Sequence, residues 1–175
     1  MGHVLDFLED FTNDWVNWLG ETDKDHIGKD TVYEGARCPF AKKAKDDGKI
    51  KYVKVYDYFS AYDFWEAVSK EVDAFDDTYD VVLVVAKSNA NYINQDNMGG
   101  GVDGLNTFLN QKGKDIWLLC KIDEMYTIVM VQRITALDNA SKQLEAKGYY
   151  VGHYSEQQME KVVTGRAKYR ERLPK

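Results

Sequence analysis

Residues 80–87 read DVVLVVAK: Val81, Val82, Leu83, Val84 and Val85 follow one another with no alternation of polar and apolar positions. A strand with one wet face alternates, whereas a strand covered on both faces runs continuously apolar. The stretch therefore predicts a strand at Val81–Ala86 in the middle of a sheet. Everything else in the chain has to be arranged around that requirement.

The flanking patterns supply the arrangement. Val4, Leu8, Phe11, Trp15 and Trp18 recur at three- and four-residue steps, which predicts an amphipathic helix over about residues 3–19, stopped by Gly20. Residues 21–37 are polar and read as a loop, with a short extended piece at Thr31–Tyr33. Cys38 suits an N-cap and Pro39 the first helical position, where its missing N–H costs nothing; Gly48 closes that helix. Ile50–Tyr58 is rich in β-branched and aromatic residues and reads as a strand. Ser60 and Asp63 form a capping box ahead of the stripe Phe64, Trp65, Val68, Val72 and Phe75. Residues 88–104 read as a long Gly-rich loop before a helix of about 102–111. The segments 115–122 and 125–134 read as a hairpin turning near Asp123–Glu124. Thr135 and Asp138 suggest the cap of a helix ended by Gly148, residues 149–152 a last short strand, and Ser155 with Gln158 the cap of a final helix.

The strand–helix–strand unit at 50–86 predicts a parallel pair and the hairpin an antiparallel one. The expected fold class is α/β (α+β): a mixed sheet of four to five strands covered by helices, a ferredoxin-like or thioredoxin-like sandwich. A length of 175 residues suggests one domain, 1–175, carrying the N-terminal amphipathic helix and a basic C-terminal helix or tail over about 155–175.

Charge and composition narrow the function classes. The net charge of −6 argues against nucleic acid and wholesale phosphate binding. It is also segregated: residues 1–34 hold nine acids against Lys24 and Lys29, while residues 161–175 hold six bases against Glu171. Two such ends could pair within a chain or between copies, although solvated helix faces give the same pattern. No apolar run approaches the roughly 18 residues of a membrane span, so no membrane partner is expected. Two cysteines and an acidic N-terminus suit a soluble protein of the reducing cytoplasm. The histidines His3, His26 and His153 lie far apart without metal-ligand spacing, so no metal site is expected.

Cys38 is the candidate catalytic residue. A thiol at a helix N-terminus meets unpaired N–H groups and the positive end of the dipole, and Arg37, Lys42 and Lys43 stand close by. A lowered pKa is the expectation. The alternative is a plain helix start or a buried small residue. Cys120, inside IWLLCKI, reads as a buried strand thiol.

The stretch CPFAKKAKDDGKIKYVKVYD resembles the glutaredoxin active-site helix and the strand after it, and GGGVDGLNTFLNQKG resembles that family's Gly-Gly turn, acidic residue and last helix. The resemblance implies a thioredoxin-type fold, Cys38 as the attacking thiol, and Gly99, Gly100 and Asp103 holding glutathione. Ala41 stands where that family carries a second Cys or a Ser. WVNWLG followed by CPFAKKAKDDGKIKYV also resembles an uncharacterised bacterial family with a Trp-bearing helix and a Cys-Pro-Phe-Ala-Lys motif; that likeness implies no activity.

Gly99, Gly100 and Gly101 ahead of a helix could present N–H groups to an anion, so these three with Arg37, Lys42 and Asp103 form the candidate ligand-binding set. Two functions follow. One is a non-catalytic binding or assembly protein with a protein partner or a second copy of itself and no evident cofactor. The other is a thiol-dependent redox or transferase protein using Cys38 and glutathione.

Overall fold

The computed structural model describes residues 7–22, 35–56, 60–88, 93–122, 125–151 and 154–175. At its centre is an open, mixed four-stranded sheet. The strands are β1 (Ile50–Val55), β2 (Val81–Lys87), β3 (Trp117–Ile122) and β4 (Tyr126–Gln132), in the order β1-β2-β4-β3. β1 and β2 are parallel, β4 is antiparallel to β2, and β3 pairs antiparallel with β4. β2 is thus the interior strand that its unbroken apolar run demands. Helices cover both faces, which is the expected α+β sandwich class with four strands.

The two faces follow from the pleat. Val82, Val84 and Ala86 of β2, with Val129 and Val131 of β4, face α3 (Ala61–Asp73) and α4 (Gln95–Gln111), where Phe64, Val68, Met98 and Val102 complete one core. Val81, Leu83, Val85 and Ile128 face the other way, toward Leu8 and Val16 of α1 (Phe7–Gly20) and Ala44 of α2 (Pro39–Asp46). On that same side, Ile134 and Leu137 of α5 (Ile134–Ala146) pack with Trp117, Tyr169 and Leu173. The edge strand β1 carries lysines on both faces: Lys51 pairs with Glu71 at 2.6 Å and Lys54 with Glu9 at 2.7 Å. Such charges protect an edge from pairing with another chain.

Several local expectations meet the structure directly. Cys38 is the N-cap of α2 with Pro39 at its first position, Gly48 follows that helix at φ +67°, and Ser60 with Asp63 forms the capping box of α3. β1 ends at Val55, earlier than expected, and Tyr58 lies outside the described residues, as do residues 1–6, the extended piece at Thr31–Tyr33 and the turn residues Asp123 and Glu124.

Three expectations are corrected. The glycine-rich stretch is not a loop up to residue 104: α4 begins at Gln95, capped by Asn94, whose side chain accepts the Asn97 N–H at 3.1 Å. Thr135 does not cap α5. Arg133 holds that position, and Asp115 takes both the backbone N–H of Thr135 and its hydroxyl. Residues 149–151 form a turn and no strand; Gly152 lies outside the described residues.

The C-terminus is also more engaged than a solvated basic tail. After Ser155 and Gln158 form a capping box, helix α6 (Glu156–Gln158) passes into a π-helical segment (Met159–Thr164) and then α7 (Gly165–Glu171). α7 is tied across the β3 edge. Asn110 of α4 donates to the Tyr169 carbonyl at 2.9 Å, and the Tyr169 ring meets Trp117 edge-on at 5.3 Å. The side-chain amide of Asn106 bonds both the N–H and the C=O of Leu118, at 2.8 and 2.9 Å, which satisfies that residue of β3 from α4. Lys168 pairs with Glu160 at 2.6 Å, and Arg170 with Asp138. No helix among the described residues is long and apolar enough to cross a membrane.

Candidate functional site

Between the sheet and the helices on the α1–α2–α5 side lies a cavity of about 400 Å³. Its floor is the sheet face defined by Ile50, Val81, Leu83, Leu119, Met130 and Gln132. One wall is the end of α1 (Trp15, Val16, Trp18, Leu19) with the start of α2 (Cys38, Phe40, Ala41). The opposite wall is α5, through Leu137, Ala140, Ser141 and Leu144. Tyr149, Tyr150 and Tyr154, with Val162 and Val163 of the π-helical segment and Arg166 of α7, close it. π-helical turns are rare and concentrate at functional positions. Here the segment contributes two adjacent valines to one surface.

The start of α2 is held against its neighbours by backbone bonds. The Arg37 N–H donates to the Glu21 carbonyl at 3.0 Å and the Cys38 N–H to the Leu19 carbonyl at 2.8 Å. The Tyr149 hydroxyl donates to the Arg37 carbonyl, which joins this corner to the turn after α5. Tyr149, Tyr150 and Tyr154 pack together, with Tyr150 edge-on to both of the others at centroid distances of 5.1 and 5.2 Å.

Cys38 lines the cavity, but its electrostatics reverse the sequence expectation. Burial pushes the thiol above its ordinary value, and the opposing backbone N–H groups of Ala41 and Phe40 do not overcome it. The nearby cations are already engaged: Lys42 pairs with Asp46 at 2.5 Å, Lys43 pairs with Asp47, and Arg37 meets Glu21 at 3.2 Å while stacking on the Trp18 ring at 4.7 Å. Desolvation therefore wins over the helix terminus. Cys120 is also pushed up by burial, and it lies with the α3–α4 core, on the face of the sheet opposite to Cys38. Both cysteines are free.

The predicted ligand-binding residues are not brought together. Arg37 lines the cavity beside Cys38. Lys42 is exposed on the outer side of α2. Gly99, Gly100 and Gly101 are interior residues of α4, and Asp103 is exposed on the same helix. α4 packs on the other face of the sheet, so these four sit across the sheet from the cavity. With the glycines inside a helix, their N–H groups serve the helix ladder and form no anion cradle. A Cβ on Gly101 would instead run into the Trp65 ring.

The residues that give the cavity its polarity went unrecognised in the sequence. Arg166 is only 3 % exposed. It donates to the Ser141 hydroxyl and, at 3.4 Å, to the Leu137 carbonyl, and it hydrogen-bonds the Tyr150 side chain; its Nε is buried without a hydrogen-bond partner among the described residues. Burial draws this guanidinium below its usual value, with Tyr150 and Asp138 opposing the shift. An arginine remains cationic through such a shift. Burial likewise raises Tyr150 and Tyr154, so both phenols are neutral at pH 7. Gln132, at the floor, has a buried Oε1 without a partner among the described residues. A signal for Arg166 did exist: it lies three and four residues after Val163 and Val162, in line with the apolar stripe of the helix expected after Ser155.

Among the described residues, the cavity lining contains neither a carboxylate nor a histidine. Among the described residues no cluster of His, Cys, Asp or Glu could hold a metal ion. The arrangement is suited to hold an apolar molecule and orient it through a few polar groups. Compared with known protein families, curated proteins and solved structures, the chain matches none.

Proposed function

We propose that this chain is a non-catalytic binding protein for a small, largely apolar molecule, held between the sheet and the α1–α2 and α5–α7 walls. The observation that carries this reading is the cavity itself. Its 400 Å³ falls within the range of about 300–1,000 Å³ typical of small-molecule sites, and its lining is apolar apart from a few convergent polar groups. Each methylene moved from water to such a lining is worth about 0.8 kcal/mol. With both thiols free, the protein suits the reducing cytoplasm.

The thiol-dependent reading has one observation in its favour, the place of Cys38 in the same wall. The raised pKa of that thiol weighs against it, as does the distribution of the glutathione-holding positions that a glutaredoxin resemblance would require: Gly99, Gly100 and Asp103 lie across the sheet. Under the binding reading, Cys38 is a lining residue.

Titration with the uncharged fluorophore N-phenyl-naphthylamine and with dodecanol tests the proposal. Saturable one-to-one binding is expected, with a change in Trp15 and Trp18 emission and slower alkylation of Cys38. Ala140→Phe, which fills the cavity from α5, should abolish all three responses. The absence of saturable binding for both compounds would overturn the reading.

A further inference from the structure

The cavity has one polar corner, and that corner contains a buried cation with no ion-pair partner among the described residues. Arg166 is almost wholly buried, and among the described residues no carboxylate forms an ion pair with it. Asp138 contributes to its electrostatic surroundings, yet that carboxylate is taken by Arg170 and by Lys142 at 3.4 Å. The partners Arg166 does have, the Ser141 and Tyr150 hydroxyls and the Leu137 carbonyl, are neutral. A second observation is independent of the charge: Nε is a buried donor with no hydrogen-bond partner among the described residues.

Both features are costly in a folded protein. An unpaired buried charge and an unsatisfied buried donor are the features that natural cores exclude. Packing alone would be served better by a Met or Leu, since Val162, Leu137 and Leu144 already line this region. The cost is offset if the position is completed by an anion that enters with the ligand. A guanidinium presents a planar fork that matches the two oxygens of a carboxylate. One cation with neutral neighbours balances one negative charge; a phosphate dianion would leave a surplus charge in an apolar cavity.

We propose that the ligand of this cavity is an amphipathic monocarboxylic acid, its carboxylate paired with Arg166 beside Ser141 and Tyr150 and its hydrocarbon against the apolar lining. The inference rests on the small-molecule reading above and adds to it the chemical class of the ligand. Arg166 is then the specificity-determining residue.

The test compares dodecanoate, dodecanol and dodecyl phosphate, each below its aggregation threshold, by calorimetry at pH 7 on the full chain. Dodecanoate should bind at least about tenfold tighter than dodecanol, the size expected of a charge-assisted contact. Arg166→Met should bring that ratio to about one, and Arg166→Lys should retain part of the preference. Equal affinities of wild type for the acid and the alcohol would overturn the inference while leaving the apolar-ligand reading intact. Tighter binding of the phosphate would overturn the carboxylate assignment. If neither the acid nor the alcohol binds, both readings fall. Should Arg166→Met fail to fold, the wild-type ratio against dodecanol and methyl dodecanoate still decides the matter.

Discussion

Gly101 stands so close to Trp65 that a Cβ at this position would lie 2.4 Å from Cζ2 of the indole. Gly99 and Gly100, the two residues before it in α4, have nothing within 4 Å of the same added atom. The three glycines should therefore respond differently to alanine. Gly99→Ala and Gly100→Ala should each stabilise the protein by about 0.5–1 kcal/mol, because glycine is entropically unfavourable inside a helix. Gly101→Ala gains the same helical preference, but it overpacks a rigid ring at a cost of about 1–3 kcal/mol, so its net effect should be destabilising. Urea unfolding midpoints separate the three.

That contrast also explains what could and could not be read from the sequence. The Val81–Ala86 run, the Ser60–Asp63 and Ser155–Gln158 boxes and the Cys38–Pro39 helix start were legible because each is governed by neighbours a few residues away. The beginning of α4 was not. Its apolar positions Met98, Val102, Leu105 and Leu109 have helical spacing, but three glycines in a row read as a loop, and the compensating contact with Trp65 is a tertiary one. The polar corner was illegible for a related reason. Gln132, Ser141, Tyr150 and Arg166 belong to four different elements, and only the fold assembles them. Arg166 reads as one base of a basic C-terminal segment, although its position after Val162 and Val163 separates it from Lys168 and Arg172.

The interior placement of β2 makes a sharp prediction. Val82 is 2 % exposed, lies on the α3–α4 face, and has strands on both sides. Val82→Asp would place a charge there without a partner, a change in the class that costs more than about 4 kcal/mol. The variant should be largely unfolded or insoluble by circular dichroism and gel filtration. A melting temperature within a degree of wild type would contradict the placement of this strand.

Asp138 should carry a pH-dependent share of the stability. Burial alone would raise its pKa, but hydrogen bonds from Arg170 and Lys142, with their charges, hold the carboxyl below its usual range. A carboxyl depressed in the folded state contributes stability above its unfolded pKa of about 3.9 and loses it as pH falls through the folded value. Asp138→Asn should therefore cost about 1–3 kcal/mol at pH 7. The difference from wild type should shrink on titration below about pH 4. Urea unfolding of both proteins across this range checks the sign.

The thiol of Cys38 should be slow at neutral pH. It occupies the N-cap of α2, where backbone N–H groups favour thiolate, and it also faces a desolvated apolar cavity, which favours thiol. The direction of its pKa shows that desolvation prevails. With Cys120→Ala isolating the site, the rate of iodoacetamide alkylation against pH should give a midpoint above the value of about 8.5 for a free thiol. Cys38→Ser should fold with a stability change of about 1 kcal/mol or less, since serine is a favourable N-cap residue. A saturating apolar ligand should slow alkylation further without moving the midpoint downward, because it would dehydrate the same wall. A midpoint below that of a free thiol would mean that the helix terminus outweighs burial, and Cys38 would then merit a test as a nucleophile in thiol transfer.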